Sequence, residues 1–310
     1  MGSPVSLPLV PQTSVGLLAR LSLGSPNFLR QLGSCGGLSR SSAATLLHTQ
    51  SSAPSLTNAL LIYCQIARMG DARPTPNSDE TNGWKETLAG AGLISQLAPL
   101  LRHVDAGVRA KACCLLGNLC RLSSSFYEPA RREGLLPLLS HCCADADPSV
   151  RKFAAFAAGN AGFHSRRLYA ALEPAIPSLV SSLASDDAKT RANAAGALGN
   201  LARNGPELAH SLCAAGAPAA LLRLVNLAAD ALDDDANQHH HQVVQGQQVV
   251  DHLLAGRIAL YSLGNLAAHE AARAALLSAG LPRNLETLQL KRDATLASYG
   301  ARLATKLGAG

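Results

Sequence analysis

The sequence predicts an all-α protein built by stacking helical repeats. Three observations lead there. Hydrophobic residues make up 47% of the chain but aromatics only 4%; the bulk is Ala and Leu, which are strong helix formers. Apolar side chains recur at the three- and four-residue spacing of one helix face, with long stretches free of β-branched runs. A short pattern, an Asp followed twelve residues later by Gly-Asn, returns at a nearly fixed interval.

The interval is informative. Asp105-Ala106-Gly107-Val108-Arg109 leads to Gly117-Asn118-Leu119, Asp147-Pro148-Ser149-Val150-Arg151 to Gly159-Asn160-Ala161, and Asp187-Ala188-Lys189-Thr190-Arg191 to Gly199-Asn200-Leu201. The asparagines are 42 and then 40 residues apart, the period of armadillo and HEAT units at about 40–47 residues. A chain of 310 residues also exceeds the usual size of one closed core. A right-handed superhelical solenoid of armadillo/HEAT type meets both requirements.

Within a unit, the Asp stands where an N-cap belongs, accepting from otherwise unpaired backbone N–H groups. Pro148 follows its Asp at the first helical position, where a missing N–H costs nothing. Val108, Ala112, Leu115, Leu116 and Leu119 then mark one face of a long third helix. Upstream lie second apolar stretches at Leu93–Leu101, Leu135–Leu139 and Ile176–Leu183. Ala154, Ala155 and Gly159, like Ala194, Ala195, Gly196 and Gly199, let neighbouring third helices approach closely, at a cost in helix propensity for the glycines.

The expected boundaries follow. Residues 1–14 are a disordered or truncated start, 15–70 are partial or degenerate repeats, and the Pro- and polar-rich stretch 71–83 is a linker. Repeats then occupy 84–123, 124–165, 166–204 and 205–268, with a cap at 269–307 where Gly300 matches Gly264 but Ala301 replaces the Asn. The fourth copy, Leu260-Tyr261-Ser262-Leu263-Gly264-Asn265-Leu266, comes late, so residues 230–256 are expected to be an inserted solvated loop. Leu17–Arg20 followed by Pro26–Leu29 parallels Leu201–Arg203 followed by Pro206–Leu208. The chain therefore reads as starting inside a repeat, as a fragment of something longer would.

Charge narrows the function classes. The net charge is +6, but the arginines are scattered without a K/R run or interleaved aromatics, a poor nucleic-acid footprint. No apolar run approaches the roughly 20 residues of a membrane span. Eight cysteines without a C-x-x-C pair read as reduced, mostly buried thiols of a cytosolic protein. The Ser- and Arg-bearing start, with no acidic residue before Asp71, also has the composition of an organelle transit peptide.

The working surface is expected on the third helices. At about 100° per residue, with each Asn at zero, the core residues cluster near 120° and the Asn lies at the edge of the core. Sharing its direction are Lys111, Cys114, Asn118 and Arg121, then Phe153, Phe156, Asn160 and His164, then Asn193, Asn200, Arg203 and Asn204, then Tyr261, Asn265 and His269. From these the candidate partner-binding groove is Lys111, Asn118, Arg121, Phe156, Asn160, His164, Asn200, Arg203, Tyr261 and Asn265. Amides there would bond the main chain of an extended peptide, and aromatics would pack its side chains. The alternative use of the amides is to bond neighbouring loops within the array. Arg109, Arg151 and Arg191 fall on the opposite flank and are expected to pair with the capping aspartates.

Catalytic motifs are missing. There is no nucleotide-binding glycine loop, no H-E-x-x-H, no paired Cys/His spacing and no G-x-S-x-G elbow. His239-His240-His241 sits in low-complexity sequence that fixes no ligand geometry. No metal, cofactor or catalytic residue is expected.

Two stretches are more specific than the repeat itself: Val150–Ala161 and Lys189–Leu201, with Leu168-Tyr169 and Ile176-Pro177-Ser178-Leu179 between them. They resemble the C-terminal armadillo region of Fused-family serine/threonine kinases, which include animal Fused and the plant form Two-in-One. The resemblance is best over 84–225, weaker over 257–307 and suggestive over 15–70. The family's kinase elements have no counterpart here, so kinase activity does not carry over. The resemblance implies a partner-binding scaffold in the cytoplasm, cytoskeleton or cilium. Its partners would be kinesin-like motors or microtubule-associated proteins, in cytokinesis or ciliary central-pair assembly. The alternative implication is a regulatory tail of a kinase whose catalytic domain is absent from this chain. The repeats differ from importin-α-like ones, whose Trp four residues before the Asn is here Cys114, Phe156, Gly196 and Tyr261.

Overall fold

A computed structural model describes residues 11–69, 80–237, 243–278 and 293–308. All regular structure among them is helical. The chain divides into two compact units, residues 1–157 and 158–310.

Unit 1 begins with α1 (Gln12–Gly24), α2 (Pro26–Ser34), α3 (Arg40–Leu46) and α4 (Ala53–Met69), followed by α5 (Glu80–Gly90), α6 (Leu93–Leu101) and α7 (Ala106–Leu122). A 3-10 turn leads to α8 (Tyr127–Arg132), α9 (Leu135–Cys143) and α10 (Pro148–Ala161). Each repeat is a short first helix, a second helix and a long third helix. α1 packs on α4 and α4 on α7, so α1 is a third helix and the repeat pattern does reach the start of the described chain.

Unit 2 continues with α11 (Tyr169–Leu172), α12 (Ile176–Ser182), α13 (Ala188–Arg203), α14 (Ala209–Ala214), α15 (Ala217–Asn237), α16 (Val243–Leu266), α17 (Glu270–Ser278) and α18 (Ala294–Leu307). The third helices α13, α16 and α18 stack in that order.

The caps explain where the third helices start. Asp105 accepts from Val108 N–H at 3.0 Å, Asp147 from Val150 N–H at 3.1 Å, Asp187 from Thr190 N–H at 2.8 Å and Asp293 from Leu296 N–H at 2.8 Å. Each satisfies a donor that the helix cannot satisfy itself. Between first and second helices, Gly92, Gly134 and Gly216 have φ of 65°, 66° and 79°, a left-handed turn that favours glycine.

Close approach of third helices depends on glycine at the position before the Asn. A Cβ on Gly117 would lie 2.6 Å from the Phe156 ring, one on Gly159 3.1 Å from Ala197 Cα, and one on Gly199 2.2 Å from Ser262 Oγ. Gly264 is the exception, with nothing within 4 Å among the described residues.

Two boundaries need correcting. The expected loop at 230–256 is helical over 230–237 and 243–256. The insertion lengthens α15 and α16 because both keep an apolar seam: Leu221, Leu224, Val225 and Ala228 face Ala255, Ala259 and Leu263, all buried. At Gly256 the helices close so far that a Cβ would meet Ala228 Cβ at 2.4 Å. His239–His241 lie outside the described residues. The expected linker 71–83 is shorter than its composition suggested, since α5 already begins at Glu80; residues 71–79 are not described.

Candidate partner-binding face

Among the sequence-predicted residues of unit 1, Asn118 is buried, only 3% exposed. Its amide nitrogen lies 3.6 Å from Cys114 Sγ, between α4 and α7. It is not presented to a ligand, and the groove assignment is corrected there. Phe156 is half-buried because its ring fills the space that Gly117 leaves open. Lys111 is half-buried with Nζ 5.6 Å from the centroid of the Phe153 ring. Arg121 is half-buried in the last turn of α7.

Unit 2 carries Asn160, His164, Asn200, Arg203, Tyr261 and Asn265. Asn200 donates from Nδ2 to the Gly159 carbonyl at 3.0 Å, and Asn265 to the Gly199 carbonyl at 3.2 Å. Each amide thus ties its third helix to the one before it. At the end of α10 the turn tightens, with Phe163 N–H bonding the Asn160 carbonyl, which frees the Gly159 carbonyl for the Asn200 amide. Asn204 donates further to the Gly162 and Phe163 carbonyls at 3.0 and 3.1 Å, and His269 Nε2 bonds the Ala202 carbonyl. Carbonyls at helix C-termini lack partners within their own helix; here the next repeat supplies them.

The asparagines are half-buried, while Arg203, His164 and Tyr261 stand exposed. The Arg203 guanidinium lies 4.6 Å from the centroid of the Phe163 ring, and that ring meets His164 edge-on at 5.0 Å. An exposed cation–π contact of this kind contributes about 0.5–1 kcal/mol. Tyr261 faces Tyr299 of α18 at 5.6 Å between ring centroids. Tyr299, Arg302 and Lys306 escaped the sequence reading because Ala301 breaks the Asn ladder. Their spacing, three and then four residues, was the available signal for one shared helix face.

The flanking arginines bond main-chain carbonyls of the turn before their own helix: Arg109 those of His103 and Val104, Arg151 those of Asp145 and Ala146, Arg191 those of Ser185 and Asp186. Arg109 also forks onto Asp145 of the next repeat at 2.8 and 2.9 Å. Arg257 repeats that fork onto Asp293. The expected partners were the capping aspartates; Arg109 instead pairs with Asp145, two residues before the cap Asp147, and the bonding to carbonyls was not anticipated. The arginine holds the Asp145 carboxyl below its usual range, and Asp293 is held down by Arg257 in the same way.

No group of three or more potential metal ligands occurs among the described residues. No described helix is long and apolar enough to cross a membrane.

Stacked three-helix units with capped third helices define an armadillo-type repeat fold. The armadillo/beta-catenin-like repeat model matches residues 85–121 and the HEAT-like repeat model residues 132–201. Among solved structures, an engineered protein superposes with a TM-score of 0.75 at 21% identity, covering 99% of this chain and 66% of that one. A designed armadillo repeat protein in complex with the peptide (KR)4 superposes with a TM-score of 0.58 at 22% identity, covering 79% and 92%.

Relatives narrow the class to the Fused type. The chain is 35% identical over 196 residues to serine/threonine-protein kinase 36 of Pongo abelii, covering 62% of this chain and 14% of the relative. It is 32% identical over 295 residues to serine/threonine-protein kinase TIO of Arabidopsis thaliana, covering 94% of this chain and 21% of the relative. The chain therefore spans about a fifth or less of the length of these relatives. Its homologues are the Fused-family kinases, and the resemblance lies in armadillo/HEAT repeats.

Proposed function

We propose that this chain is a non-catalytic scaffold that holds an extended segment of a protein partner on its third-helix faces. One observation carries the reading: unit 2 sets Arg203, His164 and Tyr261 exposed beside half-buried amides on successive third helices. That is the surface an extended peptide needs, with polar groups for its backbone and rings for its side chains. The designed armadillo repeat protein in complex with a peptide is a precedent for this use of the fold. We infer that the partners are kinesin-like motors and microtubule-associated proteins, in cytokinesis or ciliary central-pair assembly, and that the chain works in the cytoplasm at cytoskeletal or ciliary structures; the similarity to serine/threonine-protein kinase 36 and TIO supports this reading.

The test is affinity capture of the tagged chain from dividing and ciliated cells, comparing wild type with Arg203→Glu plus His164→Ala. Neither side chain bridges third helices through an amide, so the array should stay folded. Motor or microtubule-associated proteins should be captured by the wild type and lost with the variant. Equal recovery by both, or recovery of no such protein, would overturn the reading.

A second reading rests on the relatives being serine/threonine-protein kinases: the array would regulate a kinase domain. Purified chain added to such a domain should then change its phosphorylation rate, and an unchanged rate would dismiss the idea.

A further inference from the structure

Gly264 breaks the rule set by Gly117, Gly159 and Gly199. Those three are roofed by the next third helix, whereas a Cβ on Gly264 would meet nothing within 4 Å. α18 therefore leaves a gap over α16, a cavity of about 460 Å³ bordered by Tyr261, Gly264, Asn265, Tyr299, Arg302 and Lys306. The two tyrosine rings stand side by side, 5.6 Å between centroids and inclined at 55°. Lys306 reaches across to the Gly264 carbonyl at 2.6 Å, taking the place that Asn265 holds over Gly199. Arg302 is exposed at the rim. Among the described residues, no carboxylate lines the cavity.

Resting on the scaffold reading above, we propose that this gap is a docking pocket for an acidic peptide segment of the partner. A carboxylate side chain would be held by the Arg302 guanidinium, with a neighbouring ring packed against the Tyr261–Tyr299 pair. Two cations with no counter-charge in the lining favour an anion. Arginine can grip a carboxylate through two parallel N–H donors. Tyrosine rings supply contact area with a polar edge at low entropy cost. The terminal repeat has Ala301 where the others have Asn, and Lys306 bonds the Gly264 carbonyl in place of that amide.

Binding of a fluorescein-labelled octapeptide of alternating glutamate and tyrosine, followed by fluorescence anisotropy on the full chain, tests this. A lysine–arginine octapeptide and a serine–glycine octapeptide serve as comparisons. The acidic peptide should bind at least about tenfold more tightly than either. Arg302→Glu should weaken it about tenfold, and Gly264→Met, whose Cβ has room and whose longer side chain would occupy the gap, should do the same. Circular dichroism checks that both variants keep their helix content; Gly264→Met replaces a helix glycine by a better helix former. No preference for the acidic peptide, or binding indifferent to both substitutions, overturns the pocket. Acidic-peptide binding that survives Gly264→Met but is lost with Arg203→Glu also overturns it, while leaving the scaffold reading standing.

Discussion

The side-chain amide of Asn265 donates to the main-chain carbonyl of Gly199, a residue 66 positions earlier, at 3.2 Å. Asn200 makes the same bond to Gly159 across 41 positions. At these two positions the residue that marks a repeat in the sequence is thus a clamp between consecutive third helices. The clamp takes one N–H of each amide, and an amide offers two donors and two lone pairs, so clamping and ligand contact are compatible.

Removing the clamp leaves a carbonyl at a packed interface without its donor. Asn200→Ala and Asn265→Ala should each lower stability by about 1–2 kcal/mol. Asn200→Asp should cost at least as much, since an ionised carboxylate cannot donate. Urea unfolding of the variants checks this; an Asn200→Asp protein as stable as wild type would refute the clamp.

Two glycines should respond oppositely to the same substitution. Gly199→Ala forces a Cβ to within 2.2 Å of Ser262 Oγ and 2.9 Å of Ser262 Cα, and overpacking of that kind costs about 1–3 kcal/mol. Gly264→Ala meets nothing, so the helix should gain about 0.5–1 kcal/mol from the better helix former. Thermal unfolding should therefore shift down for the first and up for the second. A shift of the same sign for both would contradict the packing described.

Much of this was legible in the sequence, for physical reasons. Asp105, Asp147 and Asp187 announce N-caps because a capping carboxylate acts within three residues, a purely local event. The period was readable because each unit must bury the same face. The insertion misled because Asp233–Asp235 and His239–His241 look solvated, yet the Leu and Ala seam running through Ala217–Ala229 decides the helix. At Asn118 the angle about the helix put the residue at the core's edge, but only the packing of α4 decides that it is covered. The spacing of Tyr299 and Arg302 signals a shared helix face, but the contact of Tyr299 with Tyr261 on another helix is one no local pattern reveals.

Acid should loosen the Arg109–Asp145 fork. Hydrogen bonding to Arg109 lowers the Asp145 carboxyl below its usual 3.8. A depressed carboxylate contributes stability that is fully present above the unfolded-state value and is lost as pH falls through the folded one. Thermal stability should thus drop below about pH 4, and less steeply in Asp145→Asn. The comparison is a series of melting curves from pH 6 to pH 2; parallel curves for the two proteins would rule out the linkage.

Cys114 should be the most reactive of the half-buried and buried thiols. Its pKa is lowered to about 7, first by a hydrogen bond with Cys64 and further by the charges of Lys111 and Arg68 and a bond from Asn118, against the opposing effect of burial. The partner thiol Cys64 is pushed up by the same hydrogen bond and by burial, so the pair ionises at Cys114, the less buried sulfur. Burial alone drives Cys120 to about 12, and Cys143 reaches about 12 chiefly by burial. The thiolate is the nucleophile, so iodoacetamide at pH 7 should label Cys114 well before Cys120 or Cys143, as read by peptide mass spectrometry. Labelling at Cys114 should already be substantial at pH 7, and the exposed Cys35 shows that the reagent is active. Lys111→Met removes one of the two cations and should move the Cys114 labelling profile to higher pH. A profile unchanged by Lys111→Met would show that the charge on α7 does not reach the sulfur.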